Sequence, residues 1–127
     1  MAEKTKLELE YLIRSSNKSL FNLISTPDGL SEWYADDVVI RNGEYFIVID
    51  DEESKAVMKQ GRTGDQVRYE FQDGSRVDTY LEFIIKTDPL TRENALLVTD
   101  FCEVEEEEES KKIWDFLIGK LKQRLGA

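Results

Sequence analysis

Ser110 to Leu125 is the stretch that most restricts the fold, because its period admits one reading. On a wheel of about 3.6 residues per turn, Ile113, Leu117, Leu121, Trp114, Leu125 and Ile118 share one arc. Lys111, Lys122, Asp115, Lys112 and Gln123 fall opposite. The spacing predicts an amphipathic helix whose wide apolar face must be buried. What precedes it reads almost entirely as β-strand, so the expected fold is α+β, an antiparallel sheet of about seven strands curved around the terminal helix.

The strand signals come in order. Thr5 to Arg14 alternates, with Leu7, Leu9, Tyr11 and Ile13 on one side and Lys6, Glu8, Glu10 and Arg14 on the other, broken by Leu12. Asn17 is placed to cap a short helix carrying Leu20, Phe21 and Ile24. Ser25-Thr26-Pro27 ends that helix and begins another, to about Tyr34, since proline suits a first turn and breaks an interior one. Asn42-Gly43 lies between Val38–Ile40 and Tyr45–Ile49 and signals a tight hairpin, both central residues of a type I′ turn needing positive φ. Asp50 to Ser54 reads as an acidic turn into Lys55–Gln60, Gly61 and Gly64 bracket the next reversal, and Asp73-Gly74 reads as a second hairpin turn between Gln66–Gln72 and Val77–Thr87. After Asp88-Pro89, Ala95 to Val104 forms the last strand.

Length and charge bound the function. The 127 residues are expected to form one domain, 1–127, and the net charge of −10 disfavours nucleic acid and anionic membrane surfaces as partners. No apolar run suits membrane insertion, and the polar start Met1 to Lys6 is unlike a signal peptide, so a soluble cytoplasmic protein is expected. The absence of histidine removes Ser-His and Cys-His nucleophiles and His-based zinc sites. The single cysteine, Cys102, sits among Asp100, Phe101, Glu103 and Val104, an acidic setting that favours a packing thiol over a thiolate. Neither Asp50-Asp51-Glu52-Glu53 nor Glu105–Glu109 has the spacing of a calcium loop, so no metal and no cofactor is expected. The five glutamates read as helix chemistry, meeting the positive end of the dipole and pairing Glu107 with Lys111 and Glu108 with Lys112.

The element order, with Leu20 to Trp33, resembles the START-like superfamily, also called SRPBCC or the helix-grip fold. Within it the chain looks most like small bacterial homologues of the heat-shock chaperone ATPase activator. Their T-x-P-x-x-L-x-x-W pattern is matched by Thr26, Pro27, Leu30 and Trp33 with a one-residue tighter start, and W-x-x-x-L-x-x-L loosely by Trp114, Ile118 and Leu121. The resemblance implies a space between sheet and long helix for an apolar or amphipathic small molecule, bound without catalysis. Candidate cavity residues are Trp33, Tyr45, Ile47, Tyr69, Phe83, Trp114 and Leu117, with Phe71 a further inward aromatic. The same residues equally suit a filled core, since the sequence of a lining and of a filling is the same. Both faces of Glu44–Asp50 are apolar, which predicts cover on both sides of that strand, the short helices or a lid outside and the long helix within. The alternative function is a protein-interaction module, in the manner of a chaperone cofactor, using the acidic surface. An enzyme is a third reading, with Asp100 and Glu103 beside tyrosines open to acid/base work.

Overall fold

The computed structural model describes residues 3–127; Met1 and Ala2, which open the polar N-terminal stretch, lie outside the described residues. The chain forms β1 (Lys4–Ile13), α1 (Asn17–Ser25), α2 (Pro27–Trp33), β2 (Asp37–Arg41), β3 (Glu44–Ile49), β4 (Glu52–Gln60), β5 (Gln66–Phe71), β6 (Tyr80–Thr87), β7 (Asn94–Glu103) and α3 (Glu107–Leu125). Short 3₁₀ turns, Gly74–Arg76 and Val104–Glu106, precede β6 and α3. One seven-stranded sheet runs β1-β7-β6-β5-β4-β3-β2 with every neighbouring pair antiparallel, so the first strand closes against the last.

Period-two alternation decides which face is covered. Leu7 and Ile13 of β1, Tyr45 and Ile47 of β3, Val67, Tyr69 and Phe71 of β5, Leu81, Phe83 and Ile85 of β6, and Leu96 and Val98 of β7 are buried on one face. Trp114, Ile118 and Leu121 of α3 complete that core. Leu117 and Leu125 are half-buried, while Ile113 is 53% and Phe116 68% exposed. The expected apolar arc is therefore wider than the seam that is covered, and Ile113 lies outside it.

The two short helices pack on the same face as α3. Ser16, one residue before Asn17, caps α1, its Oγ accepting from Ser19 N at 3.2 Å. Thr26 caps α2 by accepting from Gly29 N at 2.9 Å. A Cβ on Gly29 would fall 2.3 Å from Asn22 O, so glycine permits the close approach of the two helices. The last four carbonyls of a helix lack intrahelical partners. At the end of α1 each receives a side chain: Thr26 Oγ1 donates to Asn22 O at 2.8 Å, Trp33 Nε1 to Leu23 O at 2.8 Å, Tyr69 Oη to Ile24 O at 2.7 Å and Tyr45 Oη to Ser25 O at 3.3 Å.

These bonds fix α1 over the inner face of β3 and β5, which corrects the expectation of helices outside the sheet. On the outer face of β3, Phe46 and Val48 are half-buried, and the Arg41 guanidinium lies 4.0 Å from the Phe46 ring centre. Two turns also differ from their sequence reading. Asp50 and Asp51 both take positive φ, 51° and 66°, so β4 starts at Glu52 and the acidic reversal is two residues long. After Asp73 the chain makes the 3₁₀ turn and a further bend at Asp78, φ 66°, before β6 begins at Tyr80. At the mouth of α3, Lys111 reaches both Glu107 (3.4 Å) and Glu108 (3.6 Å). The first of these is the expected pair, and the second replaces the pairing of Glu108 with Lys112.

Candidate functional site

The sequence-derived candidates separate into two groups. Trp33, Tyr69, Phe83 and Ile47 are at most 1% exposed and Tyr45 is 5% exposed. Trp33 packs on Phe83 (ring centroids 5.6 Å) and Trp114 (6.2 Å), while Tyr45 and Tyr69 meet edge to face at 5.3 Å. The polar ends of Trp33, Tyr45 and Tyr69 are engaged at the end of α1, as described above. These side chains bind the short helices to the sheet. Trp114 and Leu117 differ, because both line a cleft.

That cleft has a volume of about 500 Å³ and opens to solvent where α3 passes the α2–β2 junction and the β3–β4 hairpin. Its apolar walls are Ile49, Phe101, Ile113, Phe116 and Leu117, and its rim carries Asp36, Asp50 and Lys120. A larger groove of about 750 Å³ lies between α1 and the β4–β5 loop. Its lining is mostly polar side chains of the open surface, Asn17, Lys18, Asn22, Thr63 and Asp65 among them, and offers no buried group for a ligand to meet. Geometry and chemistry favour the smaller cleft.

Its inner wall is a cluster drawn from four elements. Tyr34, 5% exposed just after α2, stacks on Trp114 with ring centroids 5.7 Å apart and planes at 20°. Arg76, at the end of the 3₁₀ turn, donates from Nη1 to Tyr34 Oη at 2.6 Å, and its guanidinium lies 4.7 Å from the Phe71 ring centre. Asp100 of β7, 7% exposed, accepts from its neighbour Phe101 N (2.8 Å) at Oδ1 and from Trp114 Nε1 (2.9 Å) at Oδ2. Arg76 Nη2 stands 3.9 Å from the same Oδ2.

Burial pushes the Asp100 carboxyl up, and Arg76, the Phe101 amide and the Trp114 indole offset part of that rise. Burial likewise raises the Tyr34 phenol, with Arg76 pulling the other way. For Arg76 burial acts downward but Tyr34 and Asp100 outweigh it, so its pKa is raised and it stays charged. The cluster therefore presents a protonated phenol, a fixed cation and a buried carboxyl group whose two oxygens already accept. It is equipped to hold a ligand and lacks a free base. Glu103, the other carboxylate open to acid/base work in the sequence, has a buried Oε2 without a hydrogen-bond partner among the described residues and does not line this cleft. Nor does any group of three or more Cys, Asp or Glu among the described residues stand ready for a metal ion.

Tyr34 and Arg76 were not singled out by sequence reasoning. Asp100 left a trace: Leu96, Val98 and Cys102 share its strand face, so a carboxylate there occupies an inward position. Arg76 left none, since it sits in a turn after Asp73-Gly74 with ordinary surface composition.

Comparison with known proteins agrees with the fold. No curated protein matches the chain. Among solved structures, a Bacteroides fragilis protein determined by solution NMR shares 32% identity over 98% of this chain and 92% of its own, with a TM-score of 0.63. The Aha1 dimer from Colwellia psychrerythraea has 14% identity over 95% of this chain and 96% of its own, with a TM-score of 0.76. A START superfamily protein from Mycobacterium smegmatis has 10% identity over 95% and 97%, with a TM-score of 0.73. These last two share the fold. The sequence matches the START-like superfamily domain over residues 1–127, and the chain belongs to that superfamily.

Proposed function

We propose that the protein binds an amphipathic small molecule, without catalysis, in the cleft between α3 and the β3–β4 hairpin. The observation that carries this reading is one arrangement: apolar walls from Ile49, Ile113 and Leu117 around an inner wall holding the Arg76–Tyr34–Asp100 cluster. Ligand sites combine a mostly apolar lining with a few fixed polar groups, in volumes of roughly 300–1,000 Å³. A cleft of about 500 Å³ falls within that span. Binding to the folded state alone raises stability by about 2.7 kcal/mol at a hundredfold excess over Kd. A thermal-shift screen of medium-chain and aromatic amphiphiles should therefore find a stabiliser, and native mass spectrometry should show it bound in equal stoichiometry. Leu117→Lys, which fills the cleft with a charge, should abolish the shift while the domain still folds. A stabiliser that acts equally on the variant would place binding elsewhere.

A second reading, a protein-interaction surface, draws on Phe116 and Ile113, both more than half exposed on neighbouring turns of α3. The Colwellia psychrerythraea neighbour is a dimer. Under this reading Phe116→Ser lowers the mass seen by light scattering at micromolar concentration, or releases a captured partner.

A further inference from the structure

The state of Arg76 narrows the ligand class, on the premise that the cleft binds a ligand as proposed above. A guanidinium carries a rigid fork of N–H donors. Among the described residues that of Arg76 makes one hydrogen bond, to Tyr34 Oη, and Asp100 at 3.9 Å is beyond hydrogen-bonding reach. The side chain is 28% exposed, and it walls both the main cleft and an adjoining recess of about 150 Å³ beside Ile47, Glu52 and Ser54. Spare donors therefore face the space where a ligand would lie. The Phe71 ring beneath and the Tyr34 hydroxyl hold the fork in place, so these donors are fixed before a ligand arrives.

The surrounding charge decides what such donors can accept. The Asp100 carboxyl stands 3.9 Å from Arg76. Outside them the rim sets Asp36 and Asp50 against Lys120, Glu52 adds a carboxylate in the recess, and the whole chain carries −10. An anionic head would approach through the carboxylates of Asp36, Asp50 and Glu52. A cationic head would be drawn to the rim but would meet Arg76 at the inner wall. An uncharged acceptor meets neither obstacle. We infer that the ligand is an uncharged amphiphile ending in a carbonyl group, an amide, ketone or ester, that accepts from Arg76 while its hydrocarbon part lies along Ile49, Ile113 and Leu117.

The test uses the intact protein at neutral pH and three probes of equal chain length: octanamide, octanoate and octylamine. Titration calorimetry should give octanamide the lowest Kd, below octylamine by about tenfold or more, the worth of a hydrogen bond to a charged group that an ammonium cannot accept. In the wild-type protein the Arg76 Nε–Hε resonance should move on adding octanamide. Arg76→Met should bring the Kd for octanamide up by a similar factor. Because that variant removes the guanidinium beside the buried Asp100 and could fold poorly, the wild-type ranking and the resonance stand as independent readouts. Octanoate or octylamine binding tightest, or all three binding alike, overturns the head-group inference and leaves the binding reading standing. Failure of all three to bind at millimolar concentration overturns both.

Discussion

Tyr69→Phe separates a side chain that lines a ligand space from one that fastens a helix. The hydroxyl of Tyr69 donates to Ile24 O at 2.7 Å, and the residue is 0% exposed. Removing the oxygen keeps the ring and leaves a buried carbonyl without its partner. Such an orphan costs about 1–3 kcal/mol. Tyr45→Phe removes a longer bond, 3.3 Å to Ser25 O, from a residue that is 5% exposed, and should cost about 1 kcal/mol or less. The two carbonyls are adjacent at one helix end, so the double variant should depart from additivity, as contacting sites do by about 0.5 kcal/mol or more. Urea unfolding followed by far-UV circular dichroism reads all three quantities. Neither substitution touches the cleft, so the Kd of any amphiphile found by screening should hold within about twofold, against a change of tenfold for each 1.4 kcal/mol of contact energy lost. A Tyr69→Phe midpoint equal to wild type, or a stable variant that has lost its ligand, would refute the assignment of Tyr69 to the helix end.

Other substitutions probe other parts of the same argument. Trp114→Phe should cost about 2–4 kcal/mol in urea unfolding, since it takes the indole donor from the buried Asp100 carboxylate as well as ring contact with Tyr34. In an Asp100→Asn background that cost should shrink by about 1 kcal/mol, the charge being gone. Asp100→Asn also has a pH signature. Burial raises the folded carboxyl above its unfolded value, so the stability this residue contributes is full below the unfolded pKa and falls as pH rises through the folded one. The wild-type-minus-variant difference should therefore decline from about pH 4 upward, the unfolded aspartate titrating near there, and a difference flat to neutral pH contradicts the buried assignment. Gly119→Ala should stabilise by up to about 1 kcal/mol, because a Cβ there meets nothing within 4 Å and glycine is poor in a helix. Gly29→Ala should destabilise severely or prevent folding, its Cβ being only 2.3 Å from Asn22 O.

The sheet was legible wherever one residue's conformation or one strand's period was decisive. Asn42 and Gly43 take φ of 52° and 79°, as their hairpin requires, and the alternation in β1 and β5 maps directly onto burial. The turn at Asp50-Asp51 was harder because two aspartates adopt the left-handed region less readily than Asn-Gly, and nothing local says they will. Phe46 and Val48 illustrate a different limit. Apolar residues on the second face of β3 suggested cover by another layer, yet an arginine on the neighbouring strand provides part of it, and sequence does not distinguish a helix from a guanidinium as the covering group.

Trp114 and Leu117 of the site were legible, but the cluster on its inner wall was not, for a topological reason. Tyr34, Arg76 and Asp100 stand in different elements, separated by dozens of residues, and no spacing rule connects them; the closure of β7 on β6 and the placement of α2 beneath α3 do so. Predicted aromatics went to the core for a related reason. A short helix ended by Pro27 leaves carbonyls that must be satisfied inside the domain, and the nearest donors are the indole and phenol groups of Trp33, Tyr45 and Tyr69. Those groups are spent on α1 and are buried with it in the core. What stays open is the margin beside Trp114 and Leu117, where α3 stands away from the β3–β4 hairpin and Ile113 and Phe116 remain uncovered. The demand for hydrogen bonds at one helix end thus moves the proposed binding site from the interior of the grip to its mouth, beside Arg76 and Asp100.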